Sequence, residues 1–240
     1  MGILLASLIQ CVSWARYGAG MRQRNGGVVA ICPALGLALA LALAAPAAPA
    51  EERLRIVALG DSLVHGYGLP PEDGFVPQLQ AWLDAEGAAA EVVNAGVSGD
   101  TTAGGLARLD WSLAGGADAL IVVLGGNDLL RGLPPEMTRE NLDQLIRAAR
   151  ARDLAVLLSG MRAPLNYGPE FKEAFDGLYP ALAETHGTLY EPSFLEGVTE
   201  DRSLWQADGL HPNAAGVSVI VERIGPKVLD LIARAQESQS

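Results

Sequence analysis

The chain has 240 residues, half of them hydrophobic, with 17 basic and 28 acidic side chains and a formal net charge of −11. Three of those bases and none of the acids fall in residues 1–50, so the remainder is more acidic still. Such a surface argues against nucleic acid or anionic membrane as the main partner and is compatible with small neutral or apolar molecules.

Residues 1–50 read as a leader. From Met21, taken as the initiator, Arg22 and Arg24 form a positive start and Val28 to Ala45 is almost wholly apolar. Ala48-Pro49-Ala50 is a small-residue cleavage site, followed at once by Glu51 and Glu52. The apolar run is at the short end for a spanning helix, so removal near Ala50 is expected over a retained anchor, with a periplasmic or secreted product. Both cysteines, Cys11 and Cys32, lie in this leader. Cys32 follows the bulky Ile31 and the apolar run continues beyond it, so it reads as part of that run rather than as a lipid-modified cysteine. Residues 51–240 then form a single domain with no disulfide and no cysteine metal site, long enough to bury a full core.

Within that domain short apolar runs alternate with longer amphipathic ones. Leu54 to Leu59 reads as a strand, and Phe75 to Leu83 has helical spacing. Glu91 to Asn94 is a short second strand. Ala103 to Leu113 reads as one helix, weakened at its start by Gly104 and Gly105. Ala119 to Leu124 is continuously apolar, as for a central strand buried on both faces. Thr138 to Arg152 is a helix with Thr138 as its N-cap. Leu154 to Leu158 is a fourth strand, Pro169 to Glu184 a helix and Thr188 to Tyr190 a fifth strand. The last helix, Asn213 to Ala235, places Val217, Ile220, Val221, Ile224, Val228 and Leu231 on one face. Alternation of this kind implies an α/β fold around a mostly parallel sheet. Functional groups in such folds gather at the C-terminal ends of the strands.

The polar blocks fall there. Ser62, in Gly60-Asp61-Ser62-Leu63, follows the first strand; it could be a helix cap, a nucleophile or both. Gly99 and Asn127 follow the second and third strands and offer a backbone N–H and an uncharged amide to an oxyanion. Asp208-Gly209-Leu210-His211 precedes the last helix. An Asp three residues before a His can orient Nδ1 and leave Nε2 to take a proton from Ser62. His65 is the rival base, and His186 reads as a helix C-terminal cap. Ser62, Asp208 and His211 are thus the candidate catalytic residues, and the N–H of Ser62, the N–H of Gly99 and the Asn127 amide the candidate oxyanion donors. Leu129, Leu130, Leu133, Pro164, Leu165 and Tyr167 are candidates for an acyl groove. No metal site is read from these residues, since no His–His pair stands at ligand spacing, and the chemistry needs no cofactor.

These four ordered blocks resemble the signature blocks of the SGNH (GDSL) hydrolases. The segments Val93 to Thr102 and Met161 to Gly168, continuing through Tyr179-Pro180, are similar to the bacterial thioesterase I, lysophospholipase and arylesterase branch. The resemblance implies a flavodoxin-like three-layer sandwich with a five-stranded parallel sheet, and hydrolysis of esters and thioesters, with lysophospholipids among the implied substrates. His65 and Leu129 depart from the pattern without removing a catalytic group. A carbohydrate O-deacetylase on the same site and a non-catalytic acyl- or lipid-binding module are the competing readings.

Overall fold

Leu54–Gly60 forms β1, and Ile56 to Leu59 within it are wholly buried. A computed structural model describes residues 53–239; the leader expected over residues 1–50 lies outside the described residues. β1 is followed by a single helical turn, α1 (Ser62–His65), and by α2 (Phe75–Ala85). β2 (Ala90–Gly96) leads to two short helices, α3 (Thr102–Ala107) and α4 (Leu109–Ser112). β3 (Ala119–Val123) leads to α5 (Gly126–Leu130) and α6 (Pro135–Arg150). β4 (Ala155–Ser159), α7 (Pro169–His186), β5 (Leu189–Glu191) and α8 (Ala214–Gln239) complete the order.

The strands make one five-stranded sheet in the order β2-β1-β3-β4-β5, every pair parallel. Every residue of β3 and β4 is buried, so a helical layer covers each face. One layer pairs α2 with α8; the other groups α3, α6 and α7. This is the α/β, flavodoxin-like three-layer architecture. The strand order reverses between β1 and β3, which opens a crevice at their C-terminal ends. Gly60 is in register with Gly96 on one side and Val123 on the other. Three strands therefore finish level at the edge where Ser62, Gly99 and Asn127 follow.

The clearest differences from the sequence reading lie in two helices. The helix expected over Ala103 to Leu113 is broken at Arg108, whose backbone leaves the helical region. The helix expected to be capped by Thr138 begins one turn earlier at Pro135, a residue whose fixed φ suits a first helical position. Thr138 is instead fully buried, and its hydroxyl donates to Asp128.

Candidate active site

Asp61 and Ser62 stand where β1 turns into α1. Asp61 is the N-cap: Oδ1 accepts from the Leu63 N–H at 3.0 Å. Ser62 is the first helical residue, so its N–H has no acceptor within the helix and faces outward from the first turn. Opposite it stands His211, with Nε2 2.9 Å from Ser62 Oγ and Nδ1 2.7 Å from Asp208 Oδ2. A proton on Nδ1, held by the carboxylate, leaves Nε2 as the acceptor for the serine hydroxyl.

The loop that carries Asp208 and His211 is pinned at its base. Trp205 and Pro212 form an antiparallel bridge, and the Gln206 N–H donates to the His211 carbonyl at 2.8 Å. Gln206 Nε2 donates to the Tyr67 carbonyl at 2.8 Å, tying this loop to the segment after Ser62. Inside the loop Asp208 Oδ1 accepts from the N–H groups of Leu210 and His211 at 2.9 and 3.1 Å. The His211 contact, followed by these two backbone bonds, pulls the Asp208 carboxyl down to about 2. Asp208 is thus an ionised partner for His211 throughout the neutral range. The Tyr67 ring lies 4.8 Å from the His211 ring, centroid to centroid, and flanks it.

Asn127 is the second residue of α5, the helical turn after β3. Its Nδ2 donates to Asp61 Oδ2 at 3.1 Å, which fixes the direction of the amide and leaves a second N–H for another acceptor. Burial lifts the Asp61 carboxyl to about 6, against the Leu63 N–H and the Asn127 amide, which favour its charge. Gly99 lies in the left-handed region at φ +82, a conformation few side chains tolerate. Its carbonyl accepts from Arg131 Nη2 at 2.7 Å. Behind the site the buried Asp128 accepts from Thr102 N–H at 2.9 Å and Thr102 Oγ1 at 2.5 Å. That pair links the residue after Asn127 to the loop that holds Gly99.

A cavity of about 330 Å³ opens beside Ser62. Asp61, Ser62, Gly99, Asn127 and His211 contribute to its wall; Leu63, Leu129, Leu130, Met161, Leu195 and Leu210 make much of the rest. Arg162 lines it too, 3.9 Å from Glu196. The wall is thus mostly apolar with a few polar groups, as small-molecule pockets commonly are.

The structure places Ser62, His211, Gly99 and Asn127 around this space, with Asp208 behind the His211 ring and Thr102 and Asp128 backing the site. The groove residues read from sequence divide. Leu129 and Leu130 line the cavity. Leu133 is half-buried off its wall, and Pro164 and Leu165 are exposed. Tyr167 stacks on Phe171 at 5.1 Å instead. Leu63, Tyr67, Leu195 and Leu210 are wall residues that the reading missed; Leu63 and Leu210 were detectable by adjacency to Ser62 and His211. Of the other histidines, His65 places Nδ1 3.3 Å from the Gly96 carbonyl. His186 does not cap α7: Gly187 ends that helix, and His186 Nε2 lies 2.8 Å from Asp143 Oδ1 on α6. Among the described residues no group of three or more His, Cys, Asp or Glu side chains could hold a metal ion.

The family model described as GDSL-like Lipase/Acylhydrolase matches residues 58–219. The chain is 44% identical over 178 residues to the esterase TesA of Pseudomonas aeruginosa, covering 74% of this chain and 89% of that one. It is 36% identical over 178 residues to the thioesterase 1/protease 1/lysophospholipase L1 of Escherichia coli, covering 74% and 84%. Among solved structures it is similar to the psychrotrophic esterase EstA from Pseudoalteromonas sp., inhibited by monoethylphosphonate. That likeness has a TM-score of 0.71 at 31% identity and covers 75% of this chain and 98% of EstA.

Proposed function

This chain belongs to the GDSL-like lipase/acylhydrolase family, and on that premise we propose that it is an exported serine esterase and thioesterase that works through an acyl-enzyme. Ser62 Oγ attacks the acyl carbonyl while His211 Nε2 takes its proton. Asp208 holds the imidazole tautomer and stabilises the imidazolium without accepting the proton. The carbonyl oxygen, now an oxyanion, is held by the N–H groups of Ser62 and Gly99 and by the second N–H of Asn127. His211 then protonates the leaving alkoxide or thiolate. Water, activated by the same imidazole, attacks the acyl-enzyme and releases the acid.

The observation that carries this reading is the unbroken chain Ser62 Oγ, His211 Nε2, His211 Nδ1, Asp208 Oδ2, with links of 2.9 and 2.7 Å, at the mouth of an apolar cavity. The apolar wall favours acyl chains, lysophospholipids among their carriers, over acetylated sugars. A vestigial binding module would have no need of a base held this close to a hydroxyl. Export rests on the pattern from Met21 to Ala50; the mature N-terminus is expected near Glu51, read by mass spectrometry of the secreted protein.

The test is hydrolysis of nitrophenyl esters from acetyl to palmitoyl, with Ser62→Ala as the blank. Activity lost in the variant is expected, with an optimum beyond acetyl. Equal activity in folded Ser62→Ala protein would remove the serine mechanism. Activity confined to acetylated sugars would move the assignment to a deacetylase. Among the described residues no helix is long and apolar enough to cross a membrane.

A further inference from the structure

Arg108 stands between α3 and α4, with a side chain only 17% exposed. Its guanidinium meets four acceptors. Nε donates to Asp100 Oδ2 at 2.6 Å, Nη1 to the Ala95 carbonyl at 2.8 Å and to Ser112 Oγ at 3.0 Å, and Nη2 to the Gly60 carbonyl at 2.9 Å. Gly60 and Ala95 lie at the C-terminal ends of β1 and β2, where the sheet ladder runs out. Asp100 is the residue after Gly99. One planar group therefore ties the turn that presents Ser62 to the loop that presents the Gly99 N–H. Arg131 holds that loop from another direction, through the Gly99 carbonyl. Gly104 makes room for the arrangement: a Cβ there would fall 1.8 Å from Asp100 Oδ1.

We propose that Arg108 is a positioning residue, which sets the nucleophile Ser62 and the oxyanion donor Gly99 at the separation the reaction needs. The inference rests on the serine-hydrolase reading above. Arg108 touches neither substrate nor reacting atoms. Its value is geometric: the guanidinium is a rigid fork that reaches several acceptors at once, whereas a lysine ammonium is a point charge on a flexible stem. Attack at carbon and capture of the oxygen must succeed in one geometry, so a shift of about 1 Å between the two loops costs about 100-fold in rate. The apolar cavity wall comes largely from other segments, through Leu129, Met161, Leu195 and Leu210. Loosening Arg108 leaves that wall in place, so the loss falls on kcat and spares KM.

The experiment compares the full chain with Arg108→Lys, Gly104→Ala and the double variant on one nitrophenyl ester, well below every melting temperature, with Ser62→Ala alongside. Arg108→Lys is expected to lower kcat about 100-fold with KM unchanged. Gly104→Ala keeps the guanidinium and displaces the Asp100 carboxylate, so it lowers kcat in the same sense and carries the test if the lysine variant does not fold. The double variant is expected to cost little more than Arg108→Lys alone, because both changes break one link. Affinity for a boronate transition-state analogue falls with kcat, while affinity for the fatty-acid product holds. A lower melting temperature with the parent's kcat would make Arg108 a structural staple and overturn the proposal; so would a rise in KM at constant kcat. Activity retained in Ser62→Ala would instead strike the underlying serine-hydrolase reading.

Discussion

Asp61→Asn separates the charge of Asp61 from its place in the fold. The parent carboxyl is buried against Asn127, and burial lifts it from 3.8 to about 6, with Asp100 adding to the rise and His211 opposing it. A raised pKa means that the folded chain binds this proton more tightly than the unfolded chain. The contribution to stability is therefore present in acid and is lost as pH rises through about 6. A gap of about two units corresponds to about 3 kcal/mol in full, of which about 2 kcal/mol falls between pH 4.5 and 7.5. Asparagine cannot ionise and has no such slope. Asparagine sets an NH2 donor against either the Leu63 N–H or the Asn127 amide, which the two carboxylate oxygens had each satisfied, so the variant carries an offset in stability, but the offset is constant with pH. The measurement is thermal unfolding of both proteins across that pH interval at one ionic strength. The melting-temperature difference is expected to move by about 4–8 °C in favour of the variant as pH rises. A difference that stays flat would show that folding leaves the ionisation of Asp61 unchanged, and the reasoning would fail. At pH 8 the variant is expected to be the slower enzyme, because the Asn127 amide loses a charged acceptor.

Asn127→Ala removes one proposed oxyanion donor and is expected to lower kcat on nitrophenyl esters by about 10²–10³ with little change in KM; an equal rise in KM would place Asn127 in ground-state binding. Asp208→Asn is expected to lower kcat by about 10⁴ at neutral pH through the wrong imidazole tautomer. Because the parent Asp208 titrates at about 2, the parent's pH–rate profile above pH 4 should show no limb that disappears in this variant. Leu195→Trp fills part of the cavity, so turnover of long acyl esters should fall while acetyl ester is spared; equal losses on both would place Leu195 outside the acyl path. Arg223→Ala strips the buried Glu191, 2% exposed, of its guanidinium partner and leaves Lys227 at 3.7 Å. A loss of about 3–5 kcal/mol in urea unfolding is expected, and a loss near zero would mean that Lys227 suffices.

The parts of the fold that sequence reveals are those whose physics is written in side chains. Residues 119–124 read as a central strand because a parallel strand covered on both faces needs an unbroken apolar run. The order of Ser62, Gly99, Asn127 and His211 along the chain pointed to one sheet edge, and the level ends of β1, β2 and β3 supply it. Thr138 misled because a hydroxyl before an apolar stripe looks like a cap, whereas the helix starts at Pro135 and the hydroxyl serves Asp128. The groove residues expected from sequence are apolar residues in loops. The observed wall instead includes neighbours of the candidate catalytic residues, since the turn that projects Ser62 also projects Leu63 and the loop that projects His211 also projects Leu210.

Arg108 was invisible for a more general reason. Two of its acceptors are backbone carbonyls, which every residue carries and no letter marks. In sequence it is one more charge on an amphipathic segment. The signal was instead a conflict: Gly104 and Gly105 sit where a helix was expected, and glycine weakens a helix. In the folded chain each gap is occupied. Asp100 enters at Gly104 on its way to Arg108, and Leu124 packs into Gly105, where a Cβ would fall 2.3 Å from its Cδ1. Residues that locally oppose the structure they adopt mark places where something else must come close. Here what comes close is the carboxylate that links the Gly99 loop to Arg108, and through it to the turn that carries Ser62.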